Sequence, residues 1–367
     1  MQECEIQEDV PLAPSTTTGL GGSARYWAVA DTVDHLRFCI AWAGRKGFQV
    51  QVLGGGSNIL FPDAGYDGLV VKVGLQGVTY SEREDRVLVR AGAGEEWDQL
   101  VSACVGRGLA GIECLSGIPG LVGATPIQNV GAYGQEIKES VHAVQALDRQ
   151  TQDEVEFSRE ECGFGYRQSR FKGVDRDRFI VTAVSYLLEP EGRPQLTYKE
   201  LDDHLQEGGG IGRPGKGRQA LEAVRQGVLE LRRAKSMVVD ADDPNSRSVG
   251  SFFLNPVLDS PAYAELVRRW EQSGGREPVR CFRIPEGYKV PAAWLVERAG
   301  YAKGFEQDGA GISVNHALAL VNRGGTTAAI LRLADDIAAA VAKRFAIRLE
   351  REPVVIMSDP SGRRRAQ

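Results

Sequence analysis

Histidine and methionine are scarce in this chain, with only 4 and 3 residues of each. The histidines stand apart at 35, 142, 204 and 316, which argues against a histidine-rich metal centre. Cysteines at 4, 39, 104, 114, 162 and 281 show no C-x-x-C pairing and no regular spacing. They read as free thiols, mostly packing residues, and neither as a disulfide framework nor as a zinc site. No apolar run approaches the length needed to span a bilayer. The acidic opening MQECEIQEDV also lacks the basic-then-apolar order of a signal peptide. The expectation is a cytosolic protein with no membrane insertion. Positive charge is not in excess either: 44 Lys and Arg stand against 49 Asp and Glu, a formal net charge of −5. General attraction to nucleic acid is therefore excluded, and an anionic ligand must be met by local arginines and lysines. The short basic run Arg363–Arg365 reads as a solvated, frayed terminus. There is no internal repeat, and no protein partner can be inferred.

Glycine, by contrast, is abundant, at 44 of 367 residues. It concentrates in Cys114–Ile137, CLSGIPGLVGATPIQNVGAYGQEI, where it alternates with Ser116, Thr125, Gln128 and Asn129. Glycine reaches backbone angles closed to other residues and lets main-chain N–H groups approach a ligand, as phosphate loops do. One such stretch is equally a ligand-free turn region. A second, Gly54-Gly55-Gly56-Ser57-Asn58, follows the alternating apolar segment Phe48–Leu53, so a strand is expected to deliver another amide-rich loop at its C-terminal end. Two such loops favour a large phosphorylated cofactor. Neither has the dinucleotide or P-loop spacing in its proper context.

Length allows two or three domains. In order, Asp31 is expected to cap a helix with Val33, Leu36, Ile40 and Ala43 on one face and Gly47 at its end. Strands are expected over 69–73, 87–90, 141–148, 154–157 and 179–188, with a helix carrying Trp97, Leu100, Val101 and Cys104. The segment CGFGYRQSRFK, 162–172, has too many glycines and charges for a strand and reads as an active-site loop. Glu189–Pro194 reads as a domain boundary, and 207–218 as a flexible connection whose G-x-x-x-x-G-K spacing is a chance match. A helix is expected over 219–235, a polar loop over 240–247, a short helix after Pro291 and a strand over 317–322. A long helix over 326–345 and a final strand over 348–357 complete the chain.

Five segments occur in one order: LGGGSNIL at 53–60, SGIPGLVGATPIQNVGAYGQEI at 116–137, FGYRQSRFK at 164–172, GSFFLNP at 250–256 and LEREP at 349–353. On these the chain resembles the UDP-N-acetylenolpyruvoylglucosamine reductases, flavoenzymes of peptidoglycan precursor synthesis, from about Thr17 to Glu352. The resemblance implies an α+β fold: an FAD-binding domain of the vanillyl-alcohol-oxidase (PCMH) type over 1–190, then an α/β substrate-binding domain over 191–367. The last helix and strand would pack back on the first domain. It implies FAD held by Gly54, Gly55, Gly56, Ser57 and Asn58 in one loop, and by Ile118, Gly123, Ala124, Thr125, Asn129, Gly131 and Ala132 in the other. No histidine stands in the first loop, so the flavin should be noncovalent.

By the same resemblance, NADPH gives hydride to FAD, and the enolpyruvyl sugar nucleotide then takes it. Arg167 would hold the substrate carboxylate, Glu352 would complete the polarising pair, and Ser251 would donate the proton. Tyr166, Tyr198, Arg232, Lys235 and Asn255 would contact the nucleotide sugar, with cations for its diphosphate. Two departures stand out. Arg298 occupies a place where the family usually has glutamine, and Ser236–Ser248 is longer than the usual approach to GSFF. Taken singly, Arg167 reads as well as a surface ion-pair partner, Ser251 as a turn or capping serine and Glu352 as a strand-edge charge. Two other functions fit parts of the pattern. A flavin oxidase or dehydrogenase of a sugar or hydroxy acid would use the FAD loops, but no histidine motif offers its base. A nucleotide-sugar binding module without flavin would not need both glycine loops intact.

Overall fold

The apolar runs of the first half pair with one another in two sheets. In the computed structural model, which describes residues 3–207 and 214–357, Val50–Leu53 runs parallel to Tyr66–Val73. Ser23–Ala30 and Gln7–Pro11 complete that four-stranded sheet. Helix α1, Val33–Lys46, buries Leu36, Cys39 and Ala43. Its cap is Thr32, whose hydroxyl accepts from the His35 N–H at 3.1 Å, and not Asp31 as expected. Either residue has the chemistry, and the extended backbone at Thr32 decided between them. Gly47 ends the helix with a φ of 77°, as the sequence suggested.

The second sheet is antiparallel. Its centre is Phe179–Pro190, buried along most of its length, with Val141–Asp148 on one side and Arg86–Gly92 on the other. Glu154–Ser158 and Val78–Arg83 lie outside these, so the expected pairing of 141–148 with 154–157 is present, with Gln145 opposite Glu156. Helix α2, Trp97–Gly106, buries Trp97, Leu100, Val101 and Cys104. A single turn, α3, spans Thr125–Gln128. Helices α4, Lys199–Glu207, and α5, Arg218–Ala234, follow.

Contacts divide the chain into two compact units. One holds residues up to Val10, Ala24–Gly55 and Asp67–Val238; the other holds Pro11–Ser23, Gly56–Tyr66 and the described residues from Val239 onward. The division after 190 expected from the Pro- and Gly-rich break is therefore displaced to Val238. Helix α5 packs into the first unit, where Arg225 pairs with Asp98 of α2 at 2.5 Å. The Gly210–Lys216 pattern lies mostly outside the described residues, as does the basic run 363–365.

In the second unit, Ser248–Ser251, Ala319–Asn322, Ala310–Ile312 and Glu306–Gln307 form an antiparallel sheet in that spatial order. Helices α6, Ser260–Gln272, α7, Ala292–Arg298, and α8, Thr327–Phe345, share its core. Trp270 of α6, Trp294 of α7 and Phe345 of α8 meet there, with ring centroids 5.1 and 5.7 Å apart for the first and second pairs in that order. Thr326 caps α8 by accepting from the Ala329 N–H at 3.1 Å. The strand expected over 348–357 shrinks to Val354–Val355, which pairs in parallel with Ile59–Leu60. Its earlier residues, 348–353, are mostly charged, and among the described residues they make one bridge, Arg351 with Phe253. No helix among the described residues is long and apolar enough to cross a membrane.

Candidate active site

Leu53 ends its strand, and the chain turns through Gly54, Gly55 and Gly56. Gly56 has a φ of 68°, and a side chain there would run into the Ser15 carbonyl. Gly55 lies so close to the second loop that a Cβ would sit 2.6 Å from the Gly120 Cα. Glycine is required at both. The N–H groups of Gly55, Gly56 and Asn58 donate to no other main-chain group among the described residues. Ser57 and Asn58 then lead into Ile59–Leu60.

The second loop is strapped along residues 93–98. Gly123 and Val122 donate to the carbonyls of Ala93 and Glu95, each at 2.9 Å, and the Trp97 N–H donates to the Gly120 carbonyl at 3.0 Å. The Trp97 indole N–H reaches the Leu115 carbonyl at 3.0 Å, and the Gly117 N–H reaches Asp98 Oδ1 at 2.6 Å. Ile118 packs partly buried against the core. After Ala124, the Thr125 hydroxyl is bonded to the Val122 carbonyl and to the Tyr186 hydroxyl, both at 2.8 Å. Thr125 thus supports the loop from beneath.

Asn129 stands fully buried in a left-handed conformation, φ 43°, and ties two of the expected site segments together. Its amide donates to Glu136 Oε2 at 3.0 Å and to the Gly165 carbonyl at 2.8 Å. In return, Arg167 donates from Nη1 to the Asn129 carbonyl at 3.2 Å and from Nη2 to the Gly131 carbonyl at 2.6 Å. Gly131–Ala132 forms a two-residue ladder with Gln135–Glu136. The FGYR loop and the glycine-rich loop are therefore one structure. Arg167 itself has a φ of 52°, and its guanidinium lies 5.7 Å from the Tyr166 ring. Lys172, which was not among the expected site residues, links the Gln128 side chain at 3.0 Å to the Arg167 carbonyl at 3.1 Å.

Three of the expected nucleotide contacts also gather in the first unit. Tyr198 meets Tyr133 edge to face, with centroids 5.5 Å apart. Lys235 sits 5.8 Å from the Tyr133 ring and pairs with Glu200 at 2.7 Å. Arg232 is only 9% exposed; its Nη2 donates to the Met237 carbonyl at 2.6 Å, while its Nε is buried with no partner among the described residues. That Nε lies 3.4 Å from where a Cβ on Gly117 would be. Burial pulls the Arg232 pKa below the ordinary guanidinium value, with Tyr133 and Asp98 acting in the opposite direction. Burial also pushes the Tyr133 hydroxyl up to about 12. Tyr133 was not among the expected contacts either, although its place between Gly131 and Gly134 in the loop was the available signal. A buried guanidinium with one N–H left without a partner among the described residues, beside glycine-rich backbone, fits a phosphorylated ligand.

Ser251, Glu352 and Asn255 belong to the second unit. Ser251 ends its strand opposite Ala319, just after Gly250, whose φ is 77°. The Glu352 N–H donates to the Phe252 carbonyl at 2.9 Å, which brings GSFF and LEREP side by side. Asn255 accepts from the Ala292 N–H at 2.8 Å, so its side-chain oxygen holds the start of α7. Arg298, the departure from the family pattern, pairs with Glu277 at 2.5 Å and lies over the Trp270 ring at 5.7 Å. The long Ser236–Ser248 approach is closed by Ser246, whose hydroxyl donates to the Asp240 carbonyl at 2.7 Å. No group of three or more metal-ligating side chains is present among the described residues.

Comparison with known proteins accords with both halves. A family described as UDP-N-acetylenolpyruvoylglucosamine reductase, C-terminal domain, matches residues 242–356, and an FAD binding domain matches residues 24–153. The chain is 47% identical to the UDP-N-acetylenolpyruvoylglucosamine reductase of Thermobifida fusca, over 95% of this chain and 97% of the relative. It is 43% identical to that of Salinispora arenicola, over 94% of each. The crystal structure of UDP-N-acetylenolpyruvylglucosamine reductase from Thermus caldophilus has the same fold, with a TM-score of 0.63 at 24% identity, covering 96% of this chain and 98% of that one. The first domain is thus FAD-binding, and a mixed α and β domain follows it. Similarity of this degree along almost the whole chain places it in the UDP-N-acetylenolpyruvoylglucosamine reductase family, the FAD-containing oxidoreductases of peptidoglycan precursor synthesis.

Proposed function

We propose that the protein reduces UDP-N-acetylglucosamine enolpyruvate to UDP-N-acetylmuramate in the cytosol, with NADPH as the hydride donor. What carries this reading is the pairing of distant motifs. FGYR is bonded to the glycine-rich loop through Arg167 and Asn129, and GSFF to LEREP through Phe252 and Glu352. FAD, when bound noncovalently by the two loops, supplies hydride transfer.

The protein's own part is electrostatic and proton chemistry. Arg167, braced on two backbone carbonyls, binds the substrate carboxylate through a planar fork and stays charged throughout. It opposes the negative charge that develops there as the double bond is reduced. Glu352 completes the polarising pair. Ser251 gives its hydroxyl proton to the carbon next to the carboxylate. A serine hydroxyl is a weak acid, so this step depends on a strongly basic carbanion and on fixed geometry, which the buried Phe252 and Phe253 that follow Ser251 help to supply. Arg232 and Lys235 answer the diphosphate, Tyr166 and Tyr198 the sugar nucleotide, and Asn255 contributes through its amide nitrogen.

The test is anaerobic. The flavoprotein is reduced with NADPH, UDP-N-acetylglucosamine enolpyruvate is added, and the flavin absorbance is followed. Rapid reoxidation without oxygen is expected. A flavin that stays reduced until air is admitted would replace this reading with an oxidase, and a protein that holds no flavin would remove it.

A further inference from the structure

Asp98 and Arg225 have no role in the chemistry above, yet they meet at the root of the glycine-rich loop. Asp98 lies in the first turn of α2, and Arg225 lies midway along α5. Arg225 Nη1 donates to Asp98 Oδ1 at 2.5 Å and Nη2 to Oδ2 at 2.8 Å, a two-point fork. The same Oδ1 accepts the Gly117 N–H at 2.6 Å. One carboxylate therefore holds both a helix and a loop. The backbone at Gly117 is in the left-handed region, φ 70°, and a Cβ there would lie 2.8 Å from Leu229 and 3.4 Å from the Arg232 Nε, both on α5. The turn is clamped between the carboxylate on one side and α5 on the other. Two residues further on begins the stretch that carries Gly120 and Gly123. Seven residues along α5 from Arg225 is the buried Arg232, and Lys235 follows at the helix end.

We propose that Asp98 and Arg225 are a positioning pair: they fix the Ser116–Ile118 turn relative to α5, and so set both flavin retention and the affinity for the nucleotide sugar. The proposal rests on the function proposed above for the identity of the two ligands. A salt bridge that only joined α2 to α5 would need no contact with Gly117. Here the loop N–H and the guanidinium share one oxygen, so a change in either displaces the other.

The test uses the flavin-loaded protein and the variants Asp98→Ala, Asp98→Asn, Arg225→Gln and Arg225→Lys. Flavin release is followed by fluorescence after dilution, and KM and kcat are measured separately for the enolpyruvyl substrate. In Asp98→Ala and Arg225→Gln, release is expected to quicken about tenfold or more, the loss typical of a charged hydrogen bond. KM should rise by a similar factor with kcat changed less than about twofold, since the pair touches no reacting atom. Asp98→Asn keeps an acceptor for Gly117, and Arg225→Lys keeps the charge but not the fork, so both should fall between these and the wild type. A lowered Tm with unchanged flavin release and unchanged KM would overturn the proposal. Should Asp98→Ala fail to fold, Asp98→Asn and Arg225→Lys decide by the same two readouts. Failure of the reductase reading looks different: the wild type itself would not turn over the substrate, and flavin release would still report on the pair.

Discussion

Glu352 donates its backbone N–H to the carbonyl of Phe252 at 2.9 Å, and two residues away Leu254 donates to the carbonyl of Glu350 at 2.9 Å. This short antiparallel contact sets a glutamate from the end of the chain beside the strand end that carries Ser251. Substituting Ser251 with Ala should leave reduction of the flavin by NADPH within about twofold of wild type and slow its reoxidation by the enolpyruvyl substrate by at least about a hundredfold, the usual scale of lost proton donation. Stopped-flow measurement of the two half-reactions separates these. Equal slowing of both would remove Ser251 from the proton step.

Arg167 is braced by the carbonyls of Asn129 and Gly131. Lysine keeps the charge there but cannot bridge both carbonyls and a carboxylate with one planar group. Arg167→Lys should therefore lower kcat/KM for the sugar nucleotide by about tenfold or more. The absorbance spectrum of the bound flavin should also shift, because the loop carbonyls lose a donor. Normal kcat/KM in this variant would show that the guanidinium fork is not used.

Two glycines predict opposite outcomes. Gly56 is left-handed and backs onto the Ser15 carbonyl, so Gly56→Ala should cost at least about 1–2 kcal/mol and reduce the flavin content of the purified protein. Gly44 lies inside α1, where an added methyl group would meet nothing within 4 Å, so Gly44→Ala should stabilise by about 0.5–1 kcal/mol. Thermal unfolding together with the ratio of flavin to protein absorbance checks both.

Of the six cysteines, Cys281 alone is partly exposed, and the other five are buried. Burial pushes the thiols of Cys104 and Cys162 up to about 12 and raises those of Cys4, Cys39 and Cys114. At pH 8 a thiol at about 12 is only about one part in ten thousand thiolate, and the thiolate is the reactive form. A thiol reagent should modify Cys281 first and the remainder only on unfolding. Counting modified cysteines by mass before and after denaturant tests this, and early labelling at Cys104 or Cys162 would contradict it.

Burial would push the Asp98 carboxyl up, but Arg225 and the Gly117 N–H outweigh it and hold the group below its ordinary value. A carboxyl depressed in the folded state contributes stability that is complete at neutral pH and is lost as pH falls through and below the ordinary carboxylate range of about 4. The Tm of the wild type should fall more steeply than that of Asp98→Asn between about pH 5 and pH 3. Parallel curves for the two proteins would mean that Asp98 is not ionised through this contact.

Much of this architecture is written locally. Apolar runs flanking a polar turn marked the paired strands at 141–148 and 154–157, a helical apolar stripe marked α5, and Gly47 marked the end of α1, because each depends on neighbours within a few residues. The five motifs and the family also followed from order along the chain. What the tertiary structure decided was who meets whom. An amphipathic stripe states that a face is buried but not against what, so the break at 190 set α5 with the later residues, whereas the Asp98–Arg225 fork ties it to α2. Residues 11–23 and 56–66 joined the later unit for the same reason, through bonds such as Thr17 to the Ser248 carbonyl at 2.6 Å across 231 residues. The capping Thr32, the buried orphan Nε of Arg232 and the place of Tyr133 against Tyr198 likewise depend on backbone angles and long-range packing. Those are settled only when distant segments compete for the same hydrogen bonds and the same buried surface.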